Sequence, residues 1–374
     1  MQIGERKIGV NHPPYIIAEI GVNHDGEVAR ALSLTDAAAD AGADAVKLQF
    51  FETDRLMSKA AKLAAYQKNA GETDPIEMLK RLELTIDEMA LIVDRAHERG
   101  IHAIVTVFST ELVETAETLA WDAYKTASPD IVNRPLLEAL MATGKPMIVS
   151  TGASTTSEVH RAYDWIMRCD RVALLQCVSC YPTRREDASI AGMLAFDNEI
   201  ELDGGAIGYS DHTADIDIGA LAVQIGAHVL EKHFTYDRNA QGPDHSASLE
   251  PAEMRQYIQA ANEAPKAKYQ NEKSWPEVLA SPDMELLASD PAYGPIEKKI
   301  LDCERDVKNV SRQSIVCTHK IMSGEMLRYE SLTTKRPGTG ISASRMGEVF
   351  GQIAARDIEA DVPIVEEDLE NWKR

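Results

Sequence analysis

Short apolar runs recur along the first two-thirds of the chain, and between most of them alanine and leucine return every three or four positions. The first run, YIIAEIG (15–21), is bounded by Pro14 and Gly21 and predicts a strand buried on both faces. VARALSLTDAAADAGA then predicts a helix that stops at Gly42, and DAVKLQFF (44–51) a second strand. A charged, alanine-rich excursion fills 52–82, after which the alternation resumes. Helices are predicted at 85–100, 111–120, 135–144, 157–169 and 217–227. Strands are predicted at 102–109, 121–128, 145–154, 171–179, 206–211 and 228–234.

Eight strands alternating with helices over this length predict a (β/α)8 TIM barrel. A doubly wound open sheet would favour a glycine-rich phosphate loop after the first strand, and EIGVNHDG there has neither GxGxxG nor GxxxxGK[ST]. The barrel is expected over 1–265, followed by a proline-bearing linker at 266–310. Residues 311–374 change character to short strands and turns. HKIMSGEMLRYESL (319–332) aligns without a gap with RDIEADVPIVEEDL (356–369), which predicts a small all-β module of two similar halves with TKRPGTGIS between them.

Composition narrows the function classes. Hydrophobic residues make up 44% of the chain, enough for a sizeable core, and no run is long enough to span a bilayer. The formal net charge of −21 argues against nucleic acid or an anionic membrane as partner. MQIGERKIGVNHPP has charges and prolines where a signal peptide has an apolar segment, so a cytoplasmic location is expected. Five irregularly spaced cysteines fit reduced thiols, and Cys177 and Cys180, although a CxxC, read as buried packing residues without a second pair to complete a zinc site.

In a barrel the chemistry gathers at the carboxyl ends of the strands. Those ends carry Glu19, Lys47, Gln49, Thr106, Lys125, Ser128, Ser150, Ser179, Ser210, His212 and His233. A lone strand-end serine is more often a turn former, and a lone lysine a surface residue. Lysine inside an apolar strand is unusual, however, and two lysines with five hydroxyls suit a phosphate in an otherwise acidic protein. His212 and His233 taken singly read as structural; together, after neighbouring strands, they read as ligands of one divalent metal. With no cysteine among them, such a site leaves positions for water and substrate oxygens, and Mn²⁺, Mg²⁺, Co²⁺ and Zn²⁺ all fit. His24 reads as a weaker candidate for substrate contact and His228 as structural.

AEIGVNHDG, DAVKLQFF, TVFS, AYKTAS, VSTGAS, IGYSDHT, EKHFT, QGPDHSASLEP and the late KRPGTG resemble, nearly end to end, the sialic acid (N-acetylneuraminate and related nonulosonate) synthase family. The resemblance implies a (β/α)8 barrel followed by an antifreeze-like β-clip domain, and condensation of phosphoenolpyruvate with an N-acylated amino sugar of the N-acetylmannosamine type. It implies His212 and His233 as metal ligands, with Mn²⁺ favoured, and Glu19 as the catalytic carboxylate. Lys47, Thr106, Lys125, Ser128, Ser150, Ser179 and Ser210 would surround phosphoenolpyruvate. Gln49, Tyr181 and Asp244 would contact the sugar. Arg336 would arrive from the other subunit of a domain-swapped homodimer to hold the N-acyl group. Two positions depart from the pattern. Ser128, Pro129 and Asp130 stand where some members have Ser-Gly-Glu with the carboxylate on the sugar, and Ser179 stands where some have Asn.

Two competing readings predict different behaviour. A metal-independent aldolase would form a Schiff base on Lys47 or Lys125. A non-catalytic sugar-binding protein would leave the strand-end lysines and histidines without a purpose.

Overall fold

Eight parallel strands close into a barrel: Tyr15–Glu19, Ala45–Phe50, His102–Val107, Ala123–Thr126, Met147–Ser150, Val172–Cys177, Ala206–Asp211 and Val229–His233, the last pairing with both the seventh and the first. This is a computed structural model, and it describes residues 1–166, 170–199, 205–265, 285 and 287–372.

Alternation along each strand sorts side chains between two cores. Ile16, Ala18, Val46, Leu48, Val105, Tyr124, Val149, Leu174 and Leu230 point outward into the layer shared with the helices. Ile17, Ala45, Ile104, Ala123, Ile148, Ala173, Leu175 and Val229 point inward and fill the lower barrel, where Ile3 and Ile8 of an amino-terminal hairpin join them. The lower interior is therefore a largely apolar plug, with His102 bonded to the Tyr15 hydroxyl at its base, and the polar residues of the site lie in the layers above it.

The helices form where the periodicity predicts them, and local signals set their ends. Val28–Ala41 stops at Gly42, whose φ of 94° lets its N–H turn back to the last carbonyls. Ile86–Glu98 begins with a reciprocal cap between Thr85 and Glu88, and Thr156–Trp165 with one between Thr155 and Glu158. The helix expected at 111–120 is only a single turn at Val113–Ala116 after a 3₁₀ turn, with the Thr118 hydroxyl bonding the Thr115 carbonyl. Between strands six and seven, where no helix was expected, lie 3₁₀ turns and the short helix Leu194–Glu199. Residues 167–169, the predicted end of one helix with Cys169, lie outside the described residues.

The 52–82 excursion folds over the carboxyl end of the barrel as Thr53–Leu56, Ala65–Asn69 and Pro75–Leu82. Leu56, Met57, Leu63, Met78, Leu79 and Leu82 pack there with Val22, Phe51 and Phe108 in a separate apolar cluster. Of the segment expected as a linker, residues 266–284 and 286 lie outside the described residues. Its later part lies against the barrel: Ile190 and Ala191 donate backbone N–H to Ala292 and Tyr293 carbonyls, and the buried Lys298 donates to the Cys177 carbonyl at 3.2 Å.

The repeat in the carboxyl-terminal module appears as a pseudo-two-fold. Ile321 and Ile358, equivalent in the two halves, pair antiparallel with reciprocal backbone bonds of 3.0 and 2.9 Å. The bridge Val316–Pro363 has its counterpart in Met326–Ile353, each residue mapping to its equivalent in the other half. Two strands, Ser314–Cys317 and Leu332–Lys335, and a core around Ile315, Leu327, Val349 and Ile364 complete the module.

Candidate active site

At the top of the barrel the inward positions become polar. Lys47, on strand two, lies beside Glu19 of strand one, with Nζ 2.5 Å from Oε2 and donating to Thr106 Oγ1 at 3.0 Å. Gln49 donates to Glu19 Oε1 at 3.0 Å and to the Gly21 carbonyl at 2.8 Å. Lys125 of strand four crosses the barrel to Glu231 of strand eight at 3.1 Å, and Ser210 donates to the same carboxylate at 3.4 Å.

These groups line a cavity of about 120 Å³ that opens to solvent. Among the residues expected from the sequence, Lys47, Gln49, Thr106, Lys125, Ser128, Ser150, Ser179, Ser210, His212 and His233 are in its wall, together with Tyr181, Asp244 and Arg336. Glu19 sits just behind Lys47 and Gln49. The Ser150 and Ser179 hydroxyls are buried without a hydrogen-bond partner, a condition that a ligand with acceptor oxygens relieves. Gly152 shapes the same corner: its N–H donates to Ser128 Oγ at 3.0 Å, and a Cβ there would lie 2.2 Å from Ser179 Oγ. Only glycine leaves this space between the two serines open.

Burial sets the charges. The Lys47 ammonium is pulled down to about 7 by burial, with Lys125 adding to the effect and Glu231 opposing it. Burial works against the Glu231 charge, but Lys125 and Lys47 outweigh it and hold its pKa below the ordinary value. Burial raises Asp244 to about 6. The net result is a pocket whose cations are already partly matched by internal carboxylates.

His212 and His233 come together at the ends of strands seven and eight, with ring centroids 5.4 Å apart. His212 Nδ1 lies 2.7 Å from the Val178 carbonyl, which can only accept, so Nδ1 carries a proton and Nε2, 3.5 Å from Ser210 Oγ, is the nitrogen left to meet an ion. Burial, followed by His212 and the nearby lysines, pushes His233 well below its ordinary pKa and keeps it neutral. Burial works against the His212 charge, but Cys177, the Val178 carbonyl and Glu231 outweigh it and raise its pKa, so an ion binding there displaces a proton. Among the described residues no group of three His, Cys, Asp or Glu forms a closed cage, so an ion here would take its remaining ligands from water and substrate.

Three segments roof the cavity. Tyr181 stacks on His212 at 4.1 Å, and Tyr66 from the excursion lies 5.0 Å from Tyr181. Arg336 comes from the carboxyl-terminal module, its guanidinium 5.4 Å from the Phe108 ring. The expectation brought Arg336 from another subunit; here it reaches the site of its own chain, held by Arg336 N–H to the Leu56 carbonyl at 2.9 Å and Ser58 N–H to the Arg336 carbonyl at 3.0 Å.

Asp130 differs from its expected place. It is buried beside the module, accepting from Gln313 Nε2 at 3.1 Å, and is not in the cavity wall. Burial raises it to about 7, with Arg336 opposing the shift. Cys180 also differs: Cys177 is buried as expected, but Cys180 is half-exposed and faces Cys303. Glu231, Tyr66 and Glu304 were not picked out from the sequence. Glu231 had a signal, since it shares the inward parity of His233 two positions later; the other two lie in segments without periodicity.

Comparison with known proteins gives a consistent set. Residues 34–273 match the NeuB family and residues 312–370 the SAF domain. The N,N'-diacetyllegionaminic acid synthase of Legionella pneumophila is 34% identical over 95% of this chain and 94% of its own. The solved spore coat polysaccharide biosynthesis protein SpsE of Bacillus subtilis superposes with a TM-score of 0.80 at 28% identity, covering 99% of this chain and 98% of that one. The N-acetylneuraminic acid synthetase of Leptospira borgpetersenii does so at 0.63 and 31% identity, covering 77% and 96%.

Proposed function

The chain belongs to the NeuB family of sialic acid and related nonulosonate synthases, and from that premise we propose that it condenses phosphoenolpyruvate with an N-acylated amino sugar of the N-acetylmannosamine type, releasing phosphate and a nonulosonic acid. The observation that carries this reading is the joining, in one cavity, of a lysine-and-hydroxyl layer suited to phosphate with the paired imidazoles of His212 and His233.

In this mechanism Lys125, Ser128, Ser150, Ser179 and Ser210 hold the phosphate, with Lys47 and Thr106 beside it. C3 of phosphoenolpyruvate attacks the aldehyde carbon of the open-chain sugar, and water adds at C2. Glu19 orients that water and takes its proton. The tetrahedral intermediate then expels phosphate, whose growing charge Lys47 and Lys125 stabilise. His212 and His233 would hold a divalent ion, Mn²⁺ in the first instance, which when bound supplies Lewis-acid polarisation of the aldehyde oxygen. Gln49, Tyr181, Asp244 and Arg336 bind the sugar, with Arg336 on its N-acyl group. A cytoplasmic setting, where phosphoenolpyruvate is made, completes the reading.

The test is phosphate release across a panel of N-acylated hexoses. Release requires both substrates, falls by at least about tenfold on chelation and returns with Mn²⁺. The lowered pKa of Lys47 favours one rival, Schiff-base chemistry. Borohydride inactivation in the presence of substrate, with activity that survives chelation, would establish that rival instead.

We also propose a homodimer in which the small modules exchange and the Arg336 contacts are made between chains. Glu19→Gln and Arg336→Ala proteins, each inactive, are mixed after partial denaturation and refolded together. Exchange assembles one intact site per mixed dimer, so activity recovers to roughly a quarter of wild type. Contacts within each chain leave the mixture inactive.

A further inference from the structure

Cys180 and Cys303 are far apart in sequence, yet each thiol moves the other's titration, Cys180 down and Cys303 up. The backbone independently fixes the neighbourhood: Glu304 Oε1 accepts the N–H of Ser179 at 2.8 Å and of Ala153 at 2.6 Å. The carboxylate next to Cys303 is thus clamped to the residue next to Cys180. Among the described residues both cysteines are half-exposed whereas Cys177 and Cys317 are buried, so of these four a soluble reagent reaches this pair first.

The pair stands at a mechanically important place. Ser179 and Tyr181, on either side of Cys180, line the cavity, and Tyr181 stacks on His212. Cys303 precedes helix Arg305–Ser311, whose Val307 and Ser311 also line the cavity and which leads into the module carrying Arg336. We propose that Cys180 and Cys303 form a reversible disulfide within one chain, fastening the Tyr181 loop to the stalk of the small module and lowering turnover when the thiol pool is oxidised.

A glutathione disulfide is the oxidant. Cys180, whose thiol the neighbouring Cys303 pulls down to about 7, attacks as the thiolate and forms a mixed disulfide, releasing one glutathione thiolate. The Cys303 thiolate then attacks Cys180 Sγ and expels the second. Two protein thiols lose their protons and one disulfide becomes two glutathiones, so the exchange balances. The cytosolic setting suits a transient bond of this kind. Substrates enter and products leave past the fastened loop, so turnover falls with loop mobility. The bond is read without reference to catalysis; its effect on turnover rests on the condensation reading.

The full-length protein is incubated with oxidised glutathione or with dithiothreitol, quenched by alkylation and mapped by mass spectrometry. We expect titratable thiols to drop from five to three and a peptide joining Cys180 to Cys303 to appear. The oxidised chain runs faster than the reduced one on a non-reducing gel. Hydrogen exchange over 178–183 slows in the oxidised protein. Turnover falls by at least about fivefold and returns with dithiothreitol. Cys303→Ser and Cys180→Ser proteins match reduced wild type and do not respond to oxidant. A covalent dimer, or mixed glutathione disulfides without the joined peptide, overturns the pairing. A joined peptide with unchanged exchange and turnover overturns the fastening.

Discussion

Glu19→Gln cuts turnover by about 10³-fold while the protein still folds and binds both substrates. Glutamine keeps the shape of the buried side chain, so packing at the end of strand one is retained. What it removes is the charge facing Lys47 at 2.5 Å and the acceptor strength facing Gln49. Lys47 is already pulled down to about 7 by burial; without the carboxylate it loses a stabilising anion and its charged fraction at neutral pH falls. In the proposed mechanism one substitution thus removes the proton acceptor and weakens a cation beside the phosphate. Steady-state phosphate release with both substrates varied checks it: kcat drops, and both KM values stay within about threefold. Near-normal turnover would remove Glu19 from the mechanism.

Lys125→Met is the second large effect, and it acts on stability as well as activity. Lys125 and Glu231 are an ion pair buried in the barrel, their side chains 3% and 4% exposed. Removing the ammonium strands a carboxylate, at a cost of about 3 kcal/mol in unfolding free energy. In the proposed mechanism it also removes a charge that meets the departing phosphate, with a loss of about 10²–10³-fold in kcat/KM. The double variant Lys125→Met/Glu231→Gln separates the two. Denaturant unfolding will show most of the lost stability restored, because no uncompensated charge remains, while kcat/KM stays low. Recovery of activity in the double variant would mean that Lys125 serves only to neutralise Glu231.

The barrel was legible because its strands are apolar and its helices amphipathic, and those periods survive in the sequence even where the elements differ in length. The polar layer was legible for a related reason. Lys47, Thr106, Lys125, Ser150, Ser210 and His233 interrupt apolar strands, and a polar residue there is costly unless the fold gives it partners. Glu231 shares that property, two positions before His233, but adjacent to Lys232 it reads as half of a solvated charge pair. The roof was harder. Tyr66 is held by tertiary packing of short helices, Glu304 by a single long-range clamp, and the side of Asp130 that faces Gln313 depends on how the module docks. Cys180 looked like a packing residue because its partner is far away in the chain. Contacts of this kind have no local period, so a single sequence carries no trace of them.

The division of the cavity between floor and roof has a consequence for how such an enzyme diversifies. The floor is made of strand residues locked by register and mutual charge, where a change disturbs several partners at once. The roof is contributed by the excursion at 52–82, the loop after strand six and the carboxyl-terminal module, and Tyr66, Tyr181 and Arg336 each come from a different one. Insertions and substitutions in those segments leave the barrel register untouched. On the proposed reaction, acceptor preference is therefore free to drift, one roof segment at a time, while the floor stays fixed.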